Sequence, residues 1–282
     1  MKMRRYVNIT VAAGWLVAVS GVGGSWFGVA GAQDVSPGAV RQASPEEALA
    51  WNRVNNETDL IRKSEAAEQY LGAYPEGVFA AYAHEVVAVR ALRNSDMDRF
   101  FRHGELAVAG IPDDVSLMSS LSAAYAEAQQ PDPAIRHGEA ALAILPTMER
   151  PAEYTVEGWP RRRDQFMADA HYGTGTAYLF KAFQAGSGSP LMATAMDHLV
   201  KATELLPRDE RFRFRLGFAW QLNGEMEKAV LEYARAVALE GPNLALSRQY
   251  LDQAYETLHG NRRNVDRLVA EQKRYLRELP AN

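Results

Sequence analysis

The chain of 282 residues has no cysteine. Disulfides, thiolate metal sites, a thiol nucleophile and a lipid-modified N-terminal cysteine are therefore excluded. Positive charge is also in short supply: 31 lysines and arginines stand against 35 aspartates and glutamates, a formal net charge of -4. Lys2, Arg4 and Arg5 precede the first acid, Asp34, so the body beyond them carries -7. That sign argues against non-specific nucleic-acid binding, which needs a positive contact face. Strand-like alternation is absent over any useful length. A nucleophile elbow and a phosphate-cradling glycine loop are missing too, since Gly173-Thr174-Gly175 sits inside a helical pattern and lacks a following lysine. With 47% hydrophobic and 23% charged residues, wholesale disorder is excluded.

What is present begins with an export signal. Residues 1–32 read as a signal peptide: a positive start, no charge from Tyr6 to Ala32, an apolar stretch around Ile9, Val11, Trp15, Leu16 and Val17, and Ala30-Gly31-Ala32 ahead of Gln33. An uncleaved stretch of this length could instead anchor the protein in the inner membrane, although Gly21, Gly23, Gly24 and Gly28 weaken a long anchor helix. Arg4-Arg5 leaves both general secretion and twin-arginine export open. The expected location is periplasmic or secreted, where packing without disulfides has to stabilise the fold.

Residues 33–43, with Ser36, Pro37 and Gly38, read as a flexible lead-in. Ser44-Pro45-Glu46-Glu47 then offers a hydroxyl cap, a first-turn proline and a glutamate three places on, a helix start. Segments rich in Ala, Leu and Glu alternate with short turn signals from there on, so the chain is expected to be all-α. Prolines closing apolar helices recur at Pro75, Pro112 and Pro146, and Arg102-His103-Gly104-Glu105 returns 34 residues later as Arg136-His137-Gly138-Glu139. A quartet repeated at such an offset points to a repeated supersecondary unit.

The chain resembles the tetratricopeptide repeat family. From Glu210 the matching positions are Leu216-Gly217, Trp220, Gly224, Ala229, Tyr233 and Ala236, with Pro242 one place late and Arg213 where the family has a tryptophan. Residues 115–148 match through Leu121, Tyr125, Ala134, Ala141 and Pro146, with Ser122 for the usual glycine. A third match runs through Gly175, Tyr178, Ala195, Leu199, Ala202 and Pro207, its inter-helix turn lengthened around residues 186–190. Residues 81–114 match more loosely through Val87, Ala88, Ala107 and Pro112, and Ala67, Tyr70 and Pro75 suggest a degenerate first unit. The resemblance implies a right-handed superhelical array of antiparallel helix pairs over 44–243. A loop insertion falls near 147–160, and 244–282 form a capping helix pair, Leu244–His259 and Val265–Leu279.

Chemistry is sparse. His84, His103, His137, His171, His198 and His259 never stand three or four apart, and they read as packing or surface residues of the repeats rather than as a scattered metal site. The pairs Glu46-Glu47, Asp113-Asp114 and Asp209-Glu210 fall at helix starts, where amide dipoles favour negative charge. Neither catalytic residues nor a cofactor are expected. Trp159 followed by Arg161, Arg162 and Arg163 is the sharpest charged cluster, a secondary candidate for an anion or acidic peptide.

In the family, the first helices of successive pairs line a concave groove. Carried over, this offers Tyr82, Glu85, Val89, Ser116, Ser119, Ala123, Tyr172, Thr176, Phe180, Arg211, Phe214, Arg215 and Phe218 as contacts to a partner protein or peptide. Phe214 and Phe218 could equally serve only to pack on the neighbouring pair. The expected role is a non-enzymatic interaction scaffold of the bacterial envelope, touching the membrane only through an uncleaved N-terminal segment. The alternative is a module for glycans or other cell-wall fragments, with Trp51, Trp159 and Trp220 as stacking platforms.

Overall fold

The computed structural model describes residues 42–186 and 188–279. Residues 1–32, expected to be a signal peptide, and nearly all of the expected lead-in lie outside the described residues. The described residues form twelve helices and no strand: α1 (Pro45–Asn56), α2 (Leu60–Ala73), α3 (Ala80–Arg93), α4 (Met97–Gly110), α5 (Val115–Glu127), α6 (Pro131–Ile144), α7 (Gly158–Ala185), α8 (Leu191–Leu205), α9 (Glu210–Leu222), α10 (Met226–Ala238), α11 (Leu244–His259) and α12 (Val265–Glu278). Each of the first ten packs on its sequence neighbours, giving five consecutive pairs from α1/α2 to α9/α10, the all-helical array that the repeat spacing implies.

Helix starts follow the side-chain oxygens. Ser44 accepts the Glu47 amide at 3.1 Å with Pro45 in the first turn, and Asp59, Asp96, Asp114 and Asp209 cap α2, α4, α5 and α9. The turns inside three pairs share one geometry. Ser95 (φ 59°), Gln129 (φ 58°) and Gly224 (φ 84°) take the left-handed conformation. The next amide in each case reaches back five residues, Asp96 to Ala91, Gln130 to Tyr125 and Glu225 to Trp220, each at 2.9 Å. Only Gly224 meets this backbone demand with glycine, so the repeat's turn is more regular than its sequence.

Missing side chains decide how closely the pairs stack. Ala134 and Ala141, Ala195 and Ala202, and Ala229 and Ala236 are fully buried on the second helices. A Cβ on Gly173 would come within 2.5 Å of the Ser122 carbonyl carbon and 2.6 Å of the Ala123 amide, so α7 and α5 touch backbone to backbone. Ser122, beside this contact, donates its hydroxyl to the Ala134 carbonyl at 2.8 Å.

Polar side chains then tie one pair to the next. Glu105 on α4 accepts from Tyr125 Oη (2.9 Å), Arg136 (2.8 Å) and His137 Nε2 (2.9 Å), and Glu139 on α6 accepts from Tyr178 Oη (2.7 Å). The repeated quartet thus places a glutamate beneath the tyrosine of the following unit. Glu47 and Glu210 do similar work at the joints: buried, they accept from Tyr70 Oη and the Val78 amide (2.7 and 2.6 Å), and from Ser247 Oγ and the Asn243 amide (2.9 and 3.1 Å). Two of the acidic pairs read as helix starts, Glu46-Glu47 and Asp209-Glu210, therefore split into an exposed or capping member and a buried anchor, while Asp114 of the third caps α5.

Helix α7 spans 28 residues, Gly158–Ala185, and α8 starts at Leu191, so the turn between them falls around residues 186–190, where the sequence puts it. One expectation needs correction. The last two helices match their expected bounds closely, but α12 lies along α10 and scarcely touches α11. Arg235 of α10 donates to Gln272 at 3.1 Å and covers the Tyr275 ring at 4.7 Å, while Arg208 holds the carbonyls of Leu276 and Leu279 at 3.1 and 2.7 Å. These bonds pull the amphipathic α12 onto the preceding pair, away from its own neighbour in sequence.

Close approach and turn strain can be tested by urea unfolding. Gly173→Ala should destabilise the protein by about 1–3 kcal/mol, the usual range for overpacking against an unyielding neighbour. Gln129→Gly should stabilise it by roughly 0.5–1 kcal/mol, because glycine adopts the left-handed turn without a Cβ penalty.

Candidate functional site

A seam of charged and aromatic side chains runs along the first helices. Its N-terminal part combines Tyr82 and Glu85 of α3, Asp114 at the start of α5, and Glu153 and Tyr154 from the insertion between α6 and α7. Burial pushes the Glu85 carboxyl up, with Asp114 and Glu153 adding repulsion and Lys63 opposing them. Asp114 is raised by burial as well; its Oδ1 accepts the Leu117 amide at 2.9 Å. Its Oδ2 is buried without a hydrogen-bond partner. Tyr154 is raised by burial, lowered by Arg162 and raised again by Glu153, Asp114 and Glu85, so all five groups share one electrostatic neighbourhood.

Arg162 joins this part to the rest. Its guanidinium lies 6.0 Å from the Tyr154 ring centre and 5.7 Å from that of Phe166, and its charge also lowers the pKa of Asp169 one helical stretch further on. Burial nevertheless pushes Asp169 up to about 6, against the pull of Arg211. Arg211 bonds Asp209 at 2.8 Å and Asp169 at 3.4 Å, and Arg215 bonds both oxygens of Glu127 at 3.1 and 3.0 Å. Tyr172 donates to the same Glu127, and its ring stacks on Phe212 at 4.8 Å. Helices α5, α7 and α9 are thereby laced together by charges that are largely withdrawn from water.

The candidates from the sequence divide accordingly. Tyr82 is exposed, Glu85, Val89, Ser116, Ala123, Phe180, Arg211 and Phe218 are half-buried, and Ser119, Tyr172, Thr176, Phe214 and Arg215 are buried. Ser119 spends its hydroxyl on the Val115 carbonyl at 2.7 Å. Phe214 is 5% exposed and packs against Tyr233 and Tyr250, so it belongs to the core. The two arginines already hold carboxylates of this chain; only Arg211, with its side chain 39% exposed, presents much surface. In the secondary patch Arg161 is exposed, Arg163 half-buried, and Trp159 is a buried core residue 5.3 Å from Tyr154, not an open stacking face. The patch and the first-helix candidates, separate in the sequence, share the charge of Arg162.

Sequence reasoning missed two further constellations. Glu127, Asp169 and Glu153 are single acids without a motif, and only folding sets them opposite arginines and other acids. The histidines, apparently scattered, form two pairs in space: His84 with His103 and His171 with His198, each with Nδ1 atoms 2.9 Å apart. Burial holds all four below the usual imidazole range, His103 and His171 down to about 4. Among the described residues, no three His, Asp or Glu side chains cluster closely enough to hold a metal ion, and no helix is long and apolar enough to cross a membrane.

No family model and no curated relative matches the chain. Among solved structures the chain is similar to the crystal structure of MamA protein, with TM-score 0.47 and 19% identity over 72% of this chain and 98% of that one. It is also similar to PilW, described as a widely conserved type IV pilus biogenesis factor, with TM-score 0.45 and 15% identity over 83% of this chain and 99% of that one.

The seam makes two energetic predictions. Glu127→Ala leaves Arg215 buried without its counter-charge, and chemical unfolding should show a loss of about 3–5 kcal/mol. The histidines give a pH dependence: with folded pKa values near 4 for His103 and His171 against 6.5 ordinarily, the unfolded chain takes up protons first, so their contribution is intact above pH 6.5 and is lost as pH falls. The double variant His103→Gln/His171→Gln should lose less stability between pH 7 and pH 5 than the parent does over the same interval.

Proposed function

We propose that this protein is a non-enzymatic interaction scaffold, exported to the bacterial envelope, that holds a partner protein or peptide along the seam of its first helices. The observation that carries the reading is the continuity of the seam. Tyr82, Glu85, Tyr154, Arg162, Asp169 and Arg211 succeed one another across α3, the insertion, α7 and α9, alternating acid, aromatic and base. Such a surface complements an extended or helical polypeptide, whose own polar groups and side chains alternate along its length. The ion pairs within the seam keep its side chains ordered before a partner arrives, which reduces the ordering cost of association.

The glycan reading is less well supported by the same side chains. Trp51 and Trp159 are 8% and 7% exposed, and the half-buried Trp220 lies under the Lys228 ammonium at 4.3 Å from its ring centre. A sugar would find little open aromatic face. Export rests on the signal-like residues 1–32 alone and is tested by sequencing the N-terminus of the protein recovered from cells.

Photo-crosslinking in the native cell tests the seam. A photoreactive residue at Tyr82 or at Arg211 should yield adducts with the same polypeptide, whereas one at the exposed Leu106 of α4 should yield none. Equal adducts from all three positions, or none from the first two, would overturn the assignment.

A further inference from the structure

The histidine pairs occupy one recurrent place in the repeat. His84 and His171 stand four residues before Ala88 and Gly175 on the first helices, and their partners His103 and His198 lie on the second helices. At the same place in the fifth pair, Arg213, four before Gly217, meets Glu232 at 3.0 Å. The position is therefore a cross-helix lock, filled once by an ion pair and twice by two imidazoles in near-identical poses, with ring centres 5.0 Å apart and planes at 55° and 56°.

Two facing neutral imidazoles have a capacity that an ion pair lacks. We propose that the His171–His198 pair is a two-nitrogen site for a divalent transition-metal ion of the zinc type, clamping α7 to α8, with water completing the coordination shell. In the apo pair one Nδ1–H donates to the other Nδ1; a shift of that proton to Nε2 frees both Nδ1 lone pairs with no net proton released. At Zn–N distances of about 2.0–2.1 Å, two nitrogens on a tetrahedral ion stand about 3.3–3.4 Å apart. The rings, now 2.9 Å apart at Nδ1, have to part by about 0.4–0.5 Å and to tilt so that both Nδ1 lone pairs, now facing each other, converge on one ion. Both imidazoles are held neutral at pH 7, the form that binds metal.

The surroundings select this pair over its twin. Arg99 and Arg102 act on His103 and repel an incoming cation; Lys201 acts on both His171 and His198, but Glu139 and Asp197 oppose it at His198. Glu139, whose Oε1 accepts from Tyr178 Oη at 2.7 Å, adds negative charge beside the site. His171 is 8% exposed and His198 half-buried, which leaves the ion an approach from the His198 side.

Calorimetric titration of the purified chain with zinc chloride tests the site. At pH 7 it should show saturable binding that falls at least tenfold in affinity in His198→Gln and is unchanged in His259→Gln, which alters an exposed histidine. Absence of saturable binding, or equal affinity in His198→Gln, overturns the proposal. If His198→Gln does not fold, the histidine side-chain NMR signals of the parent decide: zinc shifts appearing first at His171 and His198 support the site, and shifts appearing first elsewhere, or nowhere, overturn it.

Discussion

Helices can touch backbone to backbone only where side chains are missing at the crossing point, and this chain repeats that omission at a fixed interval. The buried alanines of the second helices and Gly175 and Gly217 on the first bring the two helices of a pair together, and Gly173 brings α7 against α5 of the pair before. Once two helices are that close, their rotation is fixed, and so is the direction of every other side chain on them. The inter-unit glutamate–tyrosine bonds, the cross-helix locks and the seam along the first helices all inherit their positions from this spacing. The fold needs no disulfide because each unit closes the apolar face of the one before.

The polar groups serve two purposes that pull against each other. Glu47, Glu210 and the Arg213–Glu232 pair are nearly buried and fully engaged, so they set register at the joints and offer nothing to a ligand. Arg211, Asp169, Glu85 and Arg162 keep part of their surface in water. The bonds from Arg211 to Asp169 and Asp209 hold that surface in place. The raised carboxyl groups of Glu85 and Asp169 mark where the fold has drawn acids out of water.

Most of the architecture was legible because its determinants are local. Periodicity, hydroxyl and carboxylate caps, closing prolines and the quartet repeated at 34 residues fix which segments are helical and that they come in pairs. The bounds of α11 and the start of α12 follow from Gly260-Asn261 and one apolar stripe. Where the reading went astray, the cause was non-local. The seat of α12 depends on contacts with α10 and on Arg208 and Arg235, which no window around that helix contains.

The candidate site divides along the same line. The sequence by itself determined which helices could line a groove and which residue types they bring to it, since heptad-like position and repeat register are one-dimensional properties. Tertiary structure alone decided which of those side chains stay available: it sent Phe214 into the core, answered Arg215 with Glu127, buried Trp159, and brought Arg162 beside the groove. It also set His171 against His198 across 27 positions of chain. Burial and pairing depend on distances between segments remote in sequence, and those distances exist only once the pairs have stacked.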